Sequence, residues 1–171
     1  MAGLKNLLMV VIDCLGSDAL LSDRKSAVTP NTDALRERGV TFPNTITAAT
    51  YTTPSFASLL TGLYPSAHGV RSLGSHKLPT GCATLAGILT EQGYQTAAFL
   101  TGPLGKETAI GDGFNQFEDR DPEDVSFGSW GHEFLAGFPS RFREPWFVLL
   151  PLWELHPPRY VAPTCRSEEY G

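Results

Sequence analysis

"TLAGILTEQGYQTAAFLTG", residues 84–102, sets a helix, a stop and a strand end to end. Helical periodicity runs from about Ala83 to Gln92, Gly93 breaks it, and Gln95 to Leu100 reads as a strand. The same order appears earlier in "TPNTDALRERGVTF", residues 29–42. There Thr29 or Asn31 is a candidate helix cap, Ala34 and Leu35 carry the apolar spacing, Gly39 ends the helix, and Val40–Phe42 is strand-like. Two further runs, Leu7–Ile12 and Trp146–Leu150, are apolar at every position. A strand of that kind suits the interior of a parallel sheet covered on both faces, so Leu7–Ile12 is expected to be buried. Strands alternating with helices predict an α/β fold with a mostly parallel central sheet flanked by helices. Residues 103–143 are rich in Gly, Asp and Phe with little periodicity and predict long surface loops with short helices. No repeat or linker divides the chain, so residues 1–171 read as part of a single domain without an internal boundary.

Composition narrows the function classes. With 171 residues, 42% of them hydrophobic, the chain can bury one sizeable core. A net charge of -5 and the lack of a Lys/Arg run argue against an extended nucleic-acid surface. Leu7–Ile12 is too short for a signal-peptide core and far too short to span a membrane. The three cysteines, Cys14, Cys82 and Cys165, are widely spaced, with neither a CxxC pair nor zinc-site spacing. A reducing, cytoplasmic location is the expectation.

In open α/β sheets ligands bind beyond the carboxyl ends of the strands. Asp13 follows one strand, and Glu154 and His156 follow another. Asp13 reads either as a turn or cap residue or as a carboxylate aimed at a divalent cation. In "YTTPSFASLLTG", residues 51–62, Pro54 suits a first helical turn and pushes Thr53 towards extended geometry, which makes Thr53 the expected N-cap. Thr52 then stands just outside the helix, at the positive end of its dipole. Its hydroxyl is a weak nucleophile unless a base or a metal activates it.

"VVIDCLGSDAL" (10–20), "TPSFASLLTGLYPSAHGV" (53–70), "LAGILTEQGYQTAAF" (85–99) and "PWFVLLPLWELHPP" (145–158) together resemble the N-terminal half of a sulfatase, in the alkaline phosphatase superfamily. The resemblance covers most of residues 5–163 and implies a sulfatase-type α/β fold. It places Asp13 at a metal-binding aspartate, with Cys14, expected to be a small buried side chain, where a second aspartate is usual. Thr52 stands at the position of the cysteine or serine matured to formylglycine, and Phe56 at that of an arginine. No formylglycine is therefore expected, and the resemblance implies direct attack by Thr52, as in phosphonate-hydrolase relatives. The implied cofactor is a divalent metal (calcium, manganese, magnesium or zinc) on Asp13 and Thr52. His156 matches a histidine that contacts the transferred group or protonates the leaving oxygen, and Thr53 is the other expected substrate contact. His68 is expected to be structural, bonding a backbone carbonyl.

The resemblance implies that the remaining ligands come from a C-terminal half, and the sequence is expected to be a fragment without it. Alone it holds half a site, with an exposed sheet edge and little or no activity expected. The expected partners are a small anionic ester, the missing half or another copy of the chain, with no nucleic acid or membrane. Two competing readings are a non-catalytic sulfatase-fold binding protein and a phosphoethanolamine-type transferase.

Overall fold

The computed structural model describes residues 4–21, 27–73, 76–120 and 127–157. Four strands, β1 (Leu7–Ile12), β2 (Gln95–Thr101), β3 (Gln116–Arg120) and β4 (Trp146–Leu152), form one sheet in the order β1-β4-β2-β3, every pair parallel. The helices are α1 (Ser17–Leu21), α2 (Pro30–Arg38), α3 (Thr52–Thr61), α4 (Pro65–His68), α5 (Leu85–Glu91) and α6 (Phe127–Arg141). The expected α/β class, with its parallel sheet and flanking helices, is the architecture observed.

The alternation of side chains on β2 and β4 builds two cores, one on each face of the sheet. Ala98, Leu100, Phe147 and Leu149 meet Phe56, Ala57 and Leu60 of α3 and Ala86 of α5. Ala97, Phe99, Val148 and Leu150 point the other way, onto Phe134 and Phe142. Strands buried on both faces account for the unbroken apolar run in each.

Thr84 caps α5 by accepting the Gly87 N–H at 3.1 Å, and Gly93 ends the turn after it with φ 86°. Gly113 packs into the same corner. Its φ is +95°, and a Cβ there would lie 2.8 Å from Thr84 Oγ1 and 2.9 Å from the Gly87 nitrogen. Gly113→Ala combines a left-handed backbone with this overlap, and should lower stability by about 1–3 kcal/mol. Urea unfolding measures it, and an unchanged midpoint would show that the corner has room.

Four expectations are corrected. Leu7–Ile12 is not a buried strand: β1 is an edge, with Leu8 50% and Val10 46% exposed. Only Met9 and Val11, on the alternate face, pack against the core. An open edge was itself expected, and β1 and β3 are the two edges of this sheet. Residues 40–42 form no strand, and Val40 and Phe42 are exposed.

Residues 103–143 are not mainly loop: they contain β3 and the long helix α6. The helical signal lay in Trp130, Phe134, Phe138 and Phe142, spaced by four. Gly131, Gly137 and Pro139 masked it by lowering helix propensity. Finally, Cys14 is exposed rather than buried, with φ 56°.

The chain divides into two compact units, residues 1–13 with 48–171, and residues 14–47. The first holds the sheet and its cores. The second contains α1 and α2, with Arg36 donating to the Leu20 carbonyl at 2.7 Å and paired to Asp33 at 3.3 Å. Neither junction, Asp13-Cys14 or Thr47-Ala48, carries a Gly or Pro, which is why composition marks no boundary there.

Candidate active site

The site lies beyond the carboxyl ends of β1 and β4. Because these strands are parallel neighbours, the residues that follow them leave the sheet side by side. The Asp13 N–H donates to the Leu152 carbonyl at 2.9 Å, extending the ladder by one bond. After Leu152 the chain turns, closed by the His156 N–H donating to the Trp153 carbonyl at 2.9 Å. The turn brings a His156 ring nitrogen within 4.8 Å of an Asp13 carboxylate oxygen.

Helix α3 supplies the third group. Its N-cap is Tyr51, with extended φ/ψ and no side-chain cap bond, so Thr52 is the first helical residue and not the residue before the helix. Thr52 Oγ1 donates to Asp13 Oδ2 at 3.2 Å. That bond directs the hydroxyl hydrogen at the carboxylate and leaves the oxygen lone pairs for another partner, at the positive end of the helix dipole.

The structure thus brings Asp13, Thr52 and His156 together. It does not add Thr53. That side chain is fully buried and its hydroxyl donates to the Pro103 carbonyl at 2.8 Å. Thr53 is neither the N-cap nor open to a substrate, because the helix starts two residues earlier than Pro54 suggested and turns Thr53 inward. Phe56, where the resemblance expects an arginine, is 4% exposed and part of the core; α3 contributes no cation there.

His68 is structural, as expected, but through different bonds. It is 1% exposed. Nδ1 accepts the Val70 N–H at 3.1 Å, so the neutral ring carries its hydrogen on Nε2, which faces Ser58 Oγ at 2.9 Å. Burial holds its pKa below the ordinary histidine value, the backbone contact opposing this only in part. With the folded pKa depressed, the unfolded chain takes up the proton first. The stabilising contribution of neutral His68 is therefore complete above about pH 6.5 and is lost as pH falls below it. The urea midpoint should drop on acidification from pH 7 to pH 5, and His68→Asn should flatten that drop while lowering stability at pH 7. An equally steep acid dependence in the variant would refute the assignment.

Sequence reasoning missed Trp153, Gly102 and Arg120, which surround the β4 turn. Trp153 had a signal, an aromatic three residues before His156. Gly102 follows β2 and Arg120 ends β3, where nothing local marks them.

The family model for sulfatases matches residues 5–168. The chain belongs to the sulfatase family. Among sulfatases it is 34% identical over 116 residues to human arylsulfatase H, covering 61% of this chain and 21% of that protein. It is 36% identical over 111 residues to human steryl-sulfatase, covering 58% of this chain and 19% of that protein. The chain therefore spans about a fifth of the length of these relatives. The fold also superposes on the phosphonate monoester hydrolase of Silicibacter pomeroyi with a TM-score of 0.78 at 21% identity, covering 94% of this chain and 43% of that one. It likewise superposes on a protein of the alkaline phosphatase superfamily from Vibrio parahaemolyticus with a TM-score of 0.69 at 24% identity, covering 98% of this chain and 45% of that one, and both likenesses are of fold.

Proposed function

We propose that this chain carries part of the active site of a metal-dependent hydrolase of sulfate, phosphate or phosphonate esters, with Thr52 as the nucleophile. The observation that carries the reading is the Thr52 Oγ1 to Asp13 Oδ2 contact of 3.2 Å, made beside His156. Membership of the sulfatase family and the likeness to a phosphonate hydrolase support it.

The donor set fits a divalent cation. A carboxylate oxygen and an imidazole nitrogen within 4.8 Å of each other can be bridged by bonds of about 2.0–2.4 Å. A mixed oxygen and nitrogen set suits zinc or manganese better than calcium, which prefers oxygen alone. Asp13 and His156 would hold the ion with Thr52 beside it. A bound ion supplies Lewis acidity that lowers the hydroxyl pKa and offsets charge on the transferred group.

The chain's own residues do the rest. Asp13 orients the Thr52 hydroxyl and accepts its proton as Oγ1 attacks sulfur or phosphorus. The ester bond to the leaving alcohol breaks, and a threonyl ester remains until water cleaves it. The α3 N-terminus favours the anionic group, His156 stands beside the transferred group, and the leaving oxygen takes its proton from water.

Titration with Zn²⁺ and Mn²⁺ by calorimetry tests the binding half of this reading: the chain should bind one ion, and Asp13→Asn should abolish it. Turnover of an aryl sulfate, a phosphate diester and a phosphonate ester, in this chain and in any longer polypeptide that contains it, tests the catalytic half. Ion binding without turnover of any of the three would favour a second reading, a non-catalytic sulfatase-fold binding protein. The apolar burial of Phe56 in place of a cation favours that alternative. Among the described residues no helix is long and apolar enough to cross a membrane. Three widely spaced cysteines, with neither a CxxC pair nor zinc-site spacing, support a cytoplasmic location as part of the same reading.

A further inference from the structure

Trp153 follows directly on β4 and joins two edges of the site. Its indole stacks on the His156 imidazole, with ring centroids 4.0 Å apart and planes 13° from parallel. The same indole lies against Gly102, the residue after β2: a Cβ on Gly102 would sit 3.0 Å from two of its ring carbons. Gly102 also has φ +63°, so space and backbone both call for glycine. Just before the turn, Arg120 Nη2 donates to the Pro151 carbonyl at 2.6 Å. That bond spans the gap opened where the paired register of β4 with β2 stops at Ala98 and Leu149.

The stacked ring has a defined hydrogen position. His156 Nδ1 lies 2.8 Å from the Pro157 carbonyl. A carbonyl only accepts, so Nδ1 carries the hydrogen, and Nε2 of the neutral ring keeps its lone pair. A freely solvated histidine favours the opposite tautomer, with the hydrogen on Nε2. Something must hold the ring in this orientation, and the indole is in face-to-face contact with it.

We infer that Trp153 is a positioning residue: its indole, seated on Gly102, holds His156 with Nδ1–H on the Pro157 carbonyl and so keeps Nε2 as the ring's electron-pair donor. The inference rests on the reading above only in that His156 acts at the site. Orientation of a ligating histidine by its surroundings commonly changes metal affinity by about tenfold to a hundredfold.

Long-range ¹H–¹⁵N correlation of the imidazole nitrogens at pH 8 tests it directly on this chain. The wild type and Trp153→Phe, which keeps a stacking ring, should show Nδ1–H at His156. Trp153→Ala should move the hydrogen to Nε2, and Gly102→Ala, which displaces the indole without removing it, should do the same. In parallel, Zn²⁺ affinity should fall about tenfold to a hundredfold in Trp153→Ala and Gly102→Ala and stay within about threefold of wild type in Trp153→Phe. An Nδ1–H signal unchanged in Trp153→Ala, or in Gly102→Ala should the first fail to fold, overturns the positioning role. So does a Trp153→Phe variant as impaired as Trp153→Ala. The two readings fail separately. A wild type that binds no Zn²⁺ but whose tautomer follows Trp153 removes the metal site and keeps the positioning. Thr52-dependent turnover with a tautomer indifferent to Trp153 does the reverse.

Discussion

Replacing Thr52 by alanine should lower kcat by about a thousandfold or more in any active polypeptide containing this chain, the scale seen when a covalent nucleophile is removed. Three features converge on this hydroxyl: its bond to Asp13 Oδ2 at 3.2 Å, its place as the first residue of α3, and the His156 ring across the carboxylate. Thr52→Ser keeps the oxygen and should retain a substantial part of the activity. The adjacent hydroxyl is the control. Thr53→Val removes a donor to the buried Pro103 carbonyl, so it should cost about 1–3 kcal/mol of stability with turnover per folded molecule nearly unchanged. Steady-state kinetics alongside urea unfolding separates the two. Full activity in Thr52→Ala would remove the nucleophile assignment, and a selective loss of turnover in Thr53→Val would move it to the neighbour.

Phe99→Ala should be the most destabilising single truncation in the second core, by about 3–5 kcal/mol. Phe99 has no exposed surface and lies 4.9 Å from the Phe134 ring, edge-on, with Trp130 and Phe142 at 5.9 and 6.3 Å. The Arg141 guanidinium sits 4.6 Å over its ring and is tied to Glu118 at 2.7 Å. Deleting the ring opens a cavity and removes the nearest of the three aromatic faces around that cation, leaving Phe134 at 5.8 Å and Phe142 at 5.9 Å. Since domains of this size are stable by only about 5–15 kcal/mol, the variant should be unfolded in part at 37 °C. Phe99→Leu, which keeps most of the volume, should lose roughly 1–2 kcal/mol. A urea midpoint for Phe99→Ala close to that of the wild type would mean that α6 is not anchored through this residue.

The elements that sequence reasoning located are those whose local pattern agrees with their surroundings. Trp146–Leu150 reads as a strand buried on both faces because it is the strand between β1 and β2. Leu7–Ile12 carries the same apolar pattern and sits at an edge, and composition cannot tell a strand that is covered from one that is open. β3, with the sequence QFEDR, is a strand by virtue of its pairing with β2, a tertiary influence that overrides weak propensity. In the site, Asp13 and His156 were legible because strand ends are easy to find and parallel neighbours place theirs together. Thr52 and Thr53 were separable only by the turn of the helix, whose start Pro54 predicted two residues late. The Trp153 contact depends on Gly102, fifty-one positions earlier, and no local pattern encodes that distance.

The strand order β1-β4-β2-β3 also sets a timetable. β4 is the last of the four strands in the sequence, yet it lies between β1 and β2. Until Trp146–Leu152 is in place, β1 has no neighbour in this sheet, and Asp13 and Thr52 await a histidine more than a hundred residues downstream. Such long-range closure is slow compared with helix formation. On a ribosome these four strands would join, and Asp13, Thr52 and His156 would meet, in the same late step, so a half-made chain exposes its first strand before that strand has a neighbour.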